Sequence, residues 1–139
     1  MRSRLEARYA GWLDRHELVW RYEPQCFADE IDQYLPDFAV ECRIWGVECT
    51  VYIEVKPTQL TSIELDRLLG RFGIIWRSTA APILLEIEEL TQPVMFFPDG
   101  IFPDTRLTPE QVGARSRWAA WSITKQGLEL IIAPPRDWR

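Results

Sequence analysis

One histidine, His16, and three cysteines, Cys26, Cys42 and Cys49, leave this chain short of soft metal ligands. None of them falls at paired zinc-ligand spacing, so a structural zinc site is not expected. The odd cysteine count, and the lack of an apolar leader after Met1-Arg2-Ser3-Arg4-Leu5-Glu6, point to free thiols in a cytoplasmic protein. No apolar run approaches the ~20 residues that cross a bilayer, so no membrane partner is expected. No glycine-rich phosphate loop stands out, nor any Ser/His or Cys/His catalytic arrangement. Repeats, low-complexity tracts and linkers are also missing, and 139 residues suit one domain over 1–139.

What is present is a real core and an uneven charge. Hydrophobic residues make up 47% of the chain and aromatic residues 12%, which excludes global disorder. The net charge is −5, but residues 22–105 hold five Lys/Arg against fifteen Asp/Glu. Residues 1–21 carry +2 and residues 106–139 carry +3. An acidic middle opposes broad DNA coating unless bound cations neutralise some carboxylates. An enzyme that engages a few phosphates remains compatible with it.

Arg4 to Glu17 is predicted as an amphipathic helix, with Leu5, Tyr9, Trp12, Leu13 and His16 near one face. Ser3 is its expected N-cap, with Glu6 three residues on as in a capping box. Leu18 to Phe27 reads as an edge strand or extended segment, and Asp29 to Gln33 as a polar connector. Leu35 to Ile44 and Val47 to Lys56 both alternate, around Trp45-Gly46, and read as a β-hairpin. A helix is expected from Thr58 to Arg71, with Ile63, Leu65, Leu68, Leu69 and Phe72 available to the core. A short buried strand follows at Ile83 to Ile87, then a proline-rich loop from Pro93 to Pro109. Thr108-Pro109-Glu110 is a good helix start, and that helix would carry Val112, Trp118, Ala119 and Trp121. Leu128 to Ala133 is the last predicted strand. The class is α/β or α+β with a mixed sheet.

A tight turn between Trp45 and Gly46 pairs residues whose numbers add to 91. Ile44 then faces Val47, Cys42 faces Cys49, Val40 faces Val51 and Phe38 faces Ile53. Every pair on that side is apolar, and a one-residue slip would expose the whole set. The same register sets Asp37 opposite Glu54, with Cβ atoms roughly 4.5–5.5 Å apart. Lys56, two residues after Glu54, projects from the same face, expected to be the side opposite the hydrophobic core. Two carboxylates that close repel unless one is protonated or a cation lies between them. Magnesium accepts such a site, with few carboxylates plus water and substrate phosphate. A generic E-x-K on a strand is more often an ordinary ion cluster on a solvated face.

Pro36-Asp37, followed on the next strand by Glu54-Val55-Lys56 and preceded by an acid-bearing helix, resembles the PD-(D/E)xK nuclease superfamily. The wider pattern is Tyr22-Glu23-Pro24, Tyr34-Leu35-Pro36-Asp37-Phe38 and Tyr52-Ile53-Glu54-Val55-Lys56-Pro57. It is similar to small phage and transposon members, and the resemblance covers about residues 3–72. It implies an α/β fold with a restriction-endonuclease-like core, a central mixed β-sheet flanked by helices. It also implies a magnesium-dependent endonuclease acting on DNA, with manganese as a substitute. Asp37 and Glu54 would ligate the metal with the Val55 carbonyl, and Lys56 would orient or activate the attacking water. Glu6 would match the helix acid that completes many such sites, although capping accounts for it equally well. Gln59, Arg67 and Arg71 are candidates for contacting nucleic acid, each with helix-end or solvated-face duty as the plainer account. Arg115, Arg117 and Lys125 are more distant candidates. Dimerisation or a partner subunit would let two sites cut two strands.

Other features have simpler readings: His16 as a helix-end residue, Cys42 and Cys49 as small core residues within disulfide range, Trp118 and Trp121 as packing groups. The competing functional hypothesis is a catalytically idle protein of the same fold. A phage inhibitor that presents its acidic surface to a basic groove would be an example.

Overall fold

The computed structural model describes residues 3–44, 47–88, 93–96, 116–124 and 127–132. Helix α1 spans Arg4–Arg15, and the Ser3 side chain caps it by accepting from the Glu6 N–H at 3.1 Å. Strands β1 (Val19–Tyr22), β2 (Phe27–Ala28), β3 (Gln33–Tyr34), β4 (Phe38–Ile44) and β5 (Val47–Lys56) follow. After helix α2 (Ser62–Ser78) come β6 (Ile83–Ile87), β7 (Val94–Phe96), β8 (Ser116–Thr124) and β9 (Gly127–Ile132). The result is an α/β protein with a mixed sheet, ordered β1-β4-β5-β6-β7-β8-β9. No helix among the described residues is long and apolar enough to cross a membrane.

The β4–β5 hairpin has the predicted register, from Phe38 opposite Ile53 to Ile44 opposite Val47. Its turn, Trp45-Gly46, lies outside the described residues. Among the described residues β1 pairs with β4 alone, as an edge strand should. β5 and β6 run parallel, α2 being the crossover that a parallel pair requires. β9 then meets the far end of β4 in parallel, Arg43 beside Glu129 and Ile44 beside Leu130, so the sheet curls back on itself.

Two cores occupy the two faces. Ala10 and Leu13 of α1 pack on Phe38, Val40, Val51, Ile53, Leu84 and Met95. Leu68, Phe72, Ile74 and Ile75 of α2 pack on Ala39, Tyr52, Ile83, Leu85 and Ile87. The second core corrects an expectation. The face that carries the acid–lysine group is roofed by α2 instead of lying opposite the only apolar layer.

Three further corrections concern helices. α2 begins at Ser62 instead of Thr58 and runs on to Ser78 instead of stopping at Arg71. Thr61 and Glu64 form a reciprocal capping box that fixes this start, and Ile74, Ile75 and Trp76 extend its apolar stripe. Ile63, expected in the core, is 65% exposed in the first turn. The third helix is not found at Trp118–Trp121, which lie in β8, between β7 and β9. Trp, Ile and Thr favour strands, and pairing on both edges overrides a helix-like Trp-Ala-Ala-Trp spacing. The expected helix start at Thr108-Pro109-Glu110, and Val112, lie outside the described residues. The segment taken as loop from Pro93 also contains β7, whose Met95 is fully buried.

Candidate functional site

The site sits where the hairpin ladder ends. Asp37 immediately precedes β4, and its backbone carbonyl accepts the Glu23 N–H at 2.8 Å. Glu23 itself has φ 43°, a left-handed conformation that is uncommon away from glycine, at the bend leading from β1. The Asp37 carboxylate Oδ2 accepts the Val55 N–H at 2.8 Å, which ties the start of β4 to β5. Asp37 and Glu54 are each only 6% exposed. They lie at facing ends of two strands whose register brings residues summing to 91 together. Lys56, half-buried on the same face, holds its Nζ 3.4 Å from Glu54 Oε1.

Burial dominates the electrostatics. It pushes the Asp37 carboxyl up from 3.8 to about 7, and the neighbouring Glu54 charge adds to the rise. The Val55 N–H opposes it, Glu6 adds a smaller rise and Lys56 a smaller fall. A proton or a cation is therefore favoured between these groups near neutral pH.

Tyr34, on β3, donates its hydroxyl to Glu54 Oε2. Its own pKa is raised well above 10.0, first by burial and then by the Glu54 charge, so the phenol stays a donor. Its ring packs against Phe72 of α2. Tyr22, on β1, donates to Glu6 Oε2 at 2.5 Å, while Ser3 Oγ lies 3.3 Å from Glu6 Oε1. Both tyrosines belong to the wider motif pattern, yet sequence alone assigned them no task. Their signal is position: Tyr34 lies three residues before Asp37, and Tyr22 pairs with Phe38.

The remaining candidates divide. Glu6 is buried and close enough to raise Asp37, but its oxygens are engaged by Tyr22 and Ser3. The Val55 side chain packs into the α1-side core, and its N–H is used by Asp37. Gln59 and Arg67 are exposed beside the N-terminus of α2. Glu64, held low first by Thr61, also feels Lys56 and Arg67, so both cations flank it. Arg71 pairs with Asp32 at 3.6 Å, and Arg77 pairs with Asp29, so α2 grips the β2–β3 hairpin through both aspartates of its connector. Arg115 and Lys125 lie outside the described residues, and for Arg117 the backbone pairing with Met95 is what is described. His16 closes α1 with its ring on Trp12 and Nδ1 2.9 Å from the Trp12 carbonyl, in keeping with a helix-end residue.

Among the described residues no group of three or more His, Cys, Asp and Glu is arranged to hold a metal. Two adjacent buried carboxylates nonetheless fit a hard divalent cation. Magnesium takes one or two protein carboxylates and fills its remaining positions with water and substrate oxygens. No family model, curated protein or solved structure matches the chain, so the reading rests on its residues and geometry.

Proposed function

We propose that this chain is a magnesium-dependent nuclease that hydrolyses phosphodiester bonds in DNA, on a restriction-endonuclease-like version of the α/β fold. The observation that carries the reading is the burial of Asp37 and Glu54 side by side, with the Lys56 ammonium 3.4 Å from Glu54. A buried acid pair without a cation opposes its own ionisation, whereas the same pair is well suited to an ion shared with phosphate oxygens.

Asp37, Glu54 and the Val55 carbonyl would hold the cation, magnesium or manganese. When bound, that ion lowers the pKa of water and polarises the scissile phosphate. Asp37 must lose its proton to take part, which its value of about 7 permits at neutral pH and above. Lys56, anchored by Glu54, presents N–H donors to the phosphate as negative charge grows on it, and orients the attacking water. Tyr34 fixes the Glu54 oxygen that it bonds, so that carboxylate is held before substrate arrives. Arg67, which shares Glu64 with Lys56, and Gln59, exposed shortly after Lys56 in the chain, would supply donors for flanking phosphates.

Few cations are available for a long DNA footprint, which suits cutting of particular structures or reliance on a second copy or partner subunit. The test is cleavage of supercoiled, linear, single-stranded and branched DNA in magnesium and in EDTA. The reading predicts cutting in magnesium alone and a loss of about 100-fold or more in Lys56→Ala. Absence of cutting on all four substrates by folded wild type, with the acidic face capturing a basic protein instead, would favour the idle binding protein.

A further inference from the structure

Far from the carboxylates, at the other end of the hairpin, two thiols face each other. Cys42 on β4 pairs directly with Cys49 on β5, and their side chains are hydrogen-bonded. Both are free thiols, Cys42 buried and Cys49 half-buried. They line a cavity of about 390 Å³ with His16, Glu41, Arg43 and Glu48 at its walls. Directly opposed antiparallel residues have Cα atoms roughly 4.5–5.5 Å apart, inside the 4.4–6.8 Å range of disulfides. A shift of about 1 Å in Cβ separation would bring the pair into the disulfide range.

We propose that Cys42 and Cys49 form a dithiol modification site, which a peroxide-class oxidant entering this cavity converts to an intrachain disulfide across β4 and β5. Cys49 is the attacking thiol. It is the more exposed of the two, and the hydrogen bond from Cys42 lowers its pKa while Cys42 is held high by donating it. Its thiolate attacks the peroxide, an S–O bond forms and the O–O bond breaks, releasing hydroxide that is protonated to water. The Cys42 sulfur then attacks the sulfenic sulfur of Cys49, forming S–S and expelling the second oxygen as water. Two thiols are oxidised and one hydrogen peroxide is reduced to two waters, so the balance closes.

Cys26, the exposed thiol, lies outside this cavity and makes long contacts to the Phe27 carbonyl at 3.8 Å and Gln33 at 4.0 Å, so the test removes it. The bond would tie together the two strands that carry Asp37 and Glu54, five residues along each from the carboxylate. The inference is independent of the nuclease reading, since neither thiol touches that site.

The test uses full-length chain carrying Cys26→Ser, treated with one equivalent of hydrogen peroxide. Mass spectrometry under non-reducing conditions and maleimide labelling give the readout. The expected result is a monomer lighter by two hydrogens, with both thiols protected from maleimide and restored by dithiothreitol. Its melting temperature should rise by about 5 °C or more over the reduced form, as closing a short loop predicts. In the same background, Cys42→Ser should leave Cys49 to gain oxygen or link two chains, and a circular dichroism spectrum checks its fold. Both thiols staying free in folded chain while they join readily after unfolding would overturn the proposal. So would independent gain of oxygen at each sulfur without a linked product.

Discussion

Asp37 has the most to gain from a cation. Its carboxyl, pushed from 3.8 to about 7, binds a proton more tightly folded than unfolded. A raised folded pKa contributes stability that is complete below about pH 4 and is lost as pH rises through about 7. Glu86, pushed from 4.5 to about 7 by burial against the opposing pull of the Trp121 side chain, adds to the same window. Metal-free protein should therefore melt at progressively lower temperature between pH 4 and pH 8, as thermal scans in EDTA would record. Asp37→Asn, uncharged at every pH, should flatten roughly half of that fall, about 2–4 kcal/mol, and leave the part due to Glu86. Magnesium should restore wild type at pH 8 and have no such effect on Asp37→Asn. Tyr34 acts on the same pair through its bond to Glu54. Tyr34→Phe should cost about 1–3 kcal/mol of stability and lower the magnesium-dependent cleavage rate, measured with Lys56→Ala as the inactive reference.

At the scale of elements, α2 decides whether the acid pair is buried. Phe72 is fully buried and its ring meets Tyr34, Trp76 and Phe96, so it joins the helix to β3 and to the sheet. Phe72→Ala should cost about 3–5 kcal/mol in urea unfolding. Thr61→Ala removes the capping box at the end of α2 nearest Lys56 and should cost about 1 kcal/mol. The hairpin was legible in the sequence because its apolar residues alternate without a break, so only one register buries them all. α1 was legible for the same reason, with Ser3 marking its start. β8 was not, because Trp118, Ala119 and Trp121 fit a helical stripe and one of its partners, β7, is a three-residue strand well upstream in the chain. Nor could local pattern reveal that the site's face is also buried. That depends on α2 crossing over to it, and with it the work of Tyr34, whose partner is twenty residues away.

For the whole molecule, charge limits what DNA binding can be. Residues 22–105 carry an excess of acid, and among the described residues Lys56 and Arg67 flank Glu64 near the site while Arg71 is already paired to Asp32. Counterion release scales with the phosphates neutralised, so two or three contacts predict a shallow slope of about −2 to −3 in log K against log salt. A fluorescence titration across salt concentrations would check this, and a slope near −8 would require a second basic surface. The sheet that curls from β9 back to β4 leaves the hairpin supported on both sides, which holds the two carboxylate-bearing strands in fixed register. The proposed function depends on what that fixed pair binds. Calorimetric titration of magnesium into wild-type chain at pH 6, repeated in buffers of different ionisation heat, measures it directly. The account predicts saturable binding with release of roughly one proton, and no binding by Asp37→Asn. Magnesium binding that releases no proton, or that persists unchanged in Asp37→Asn, would contradict it.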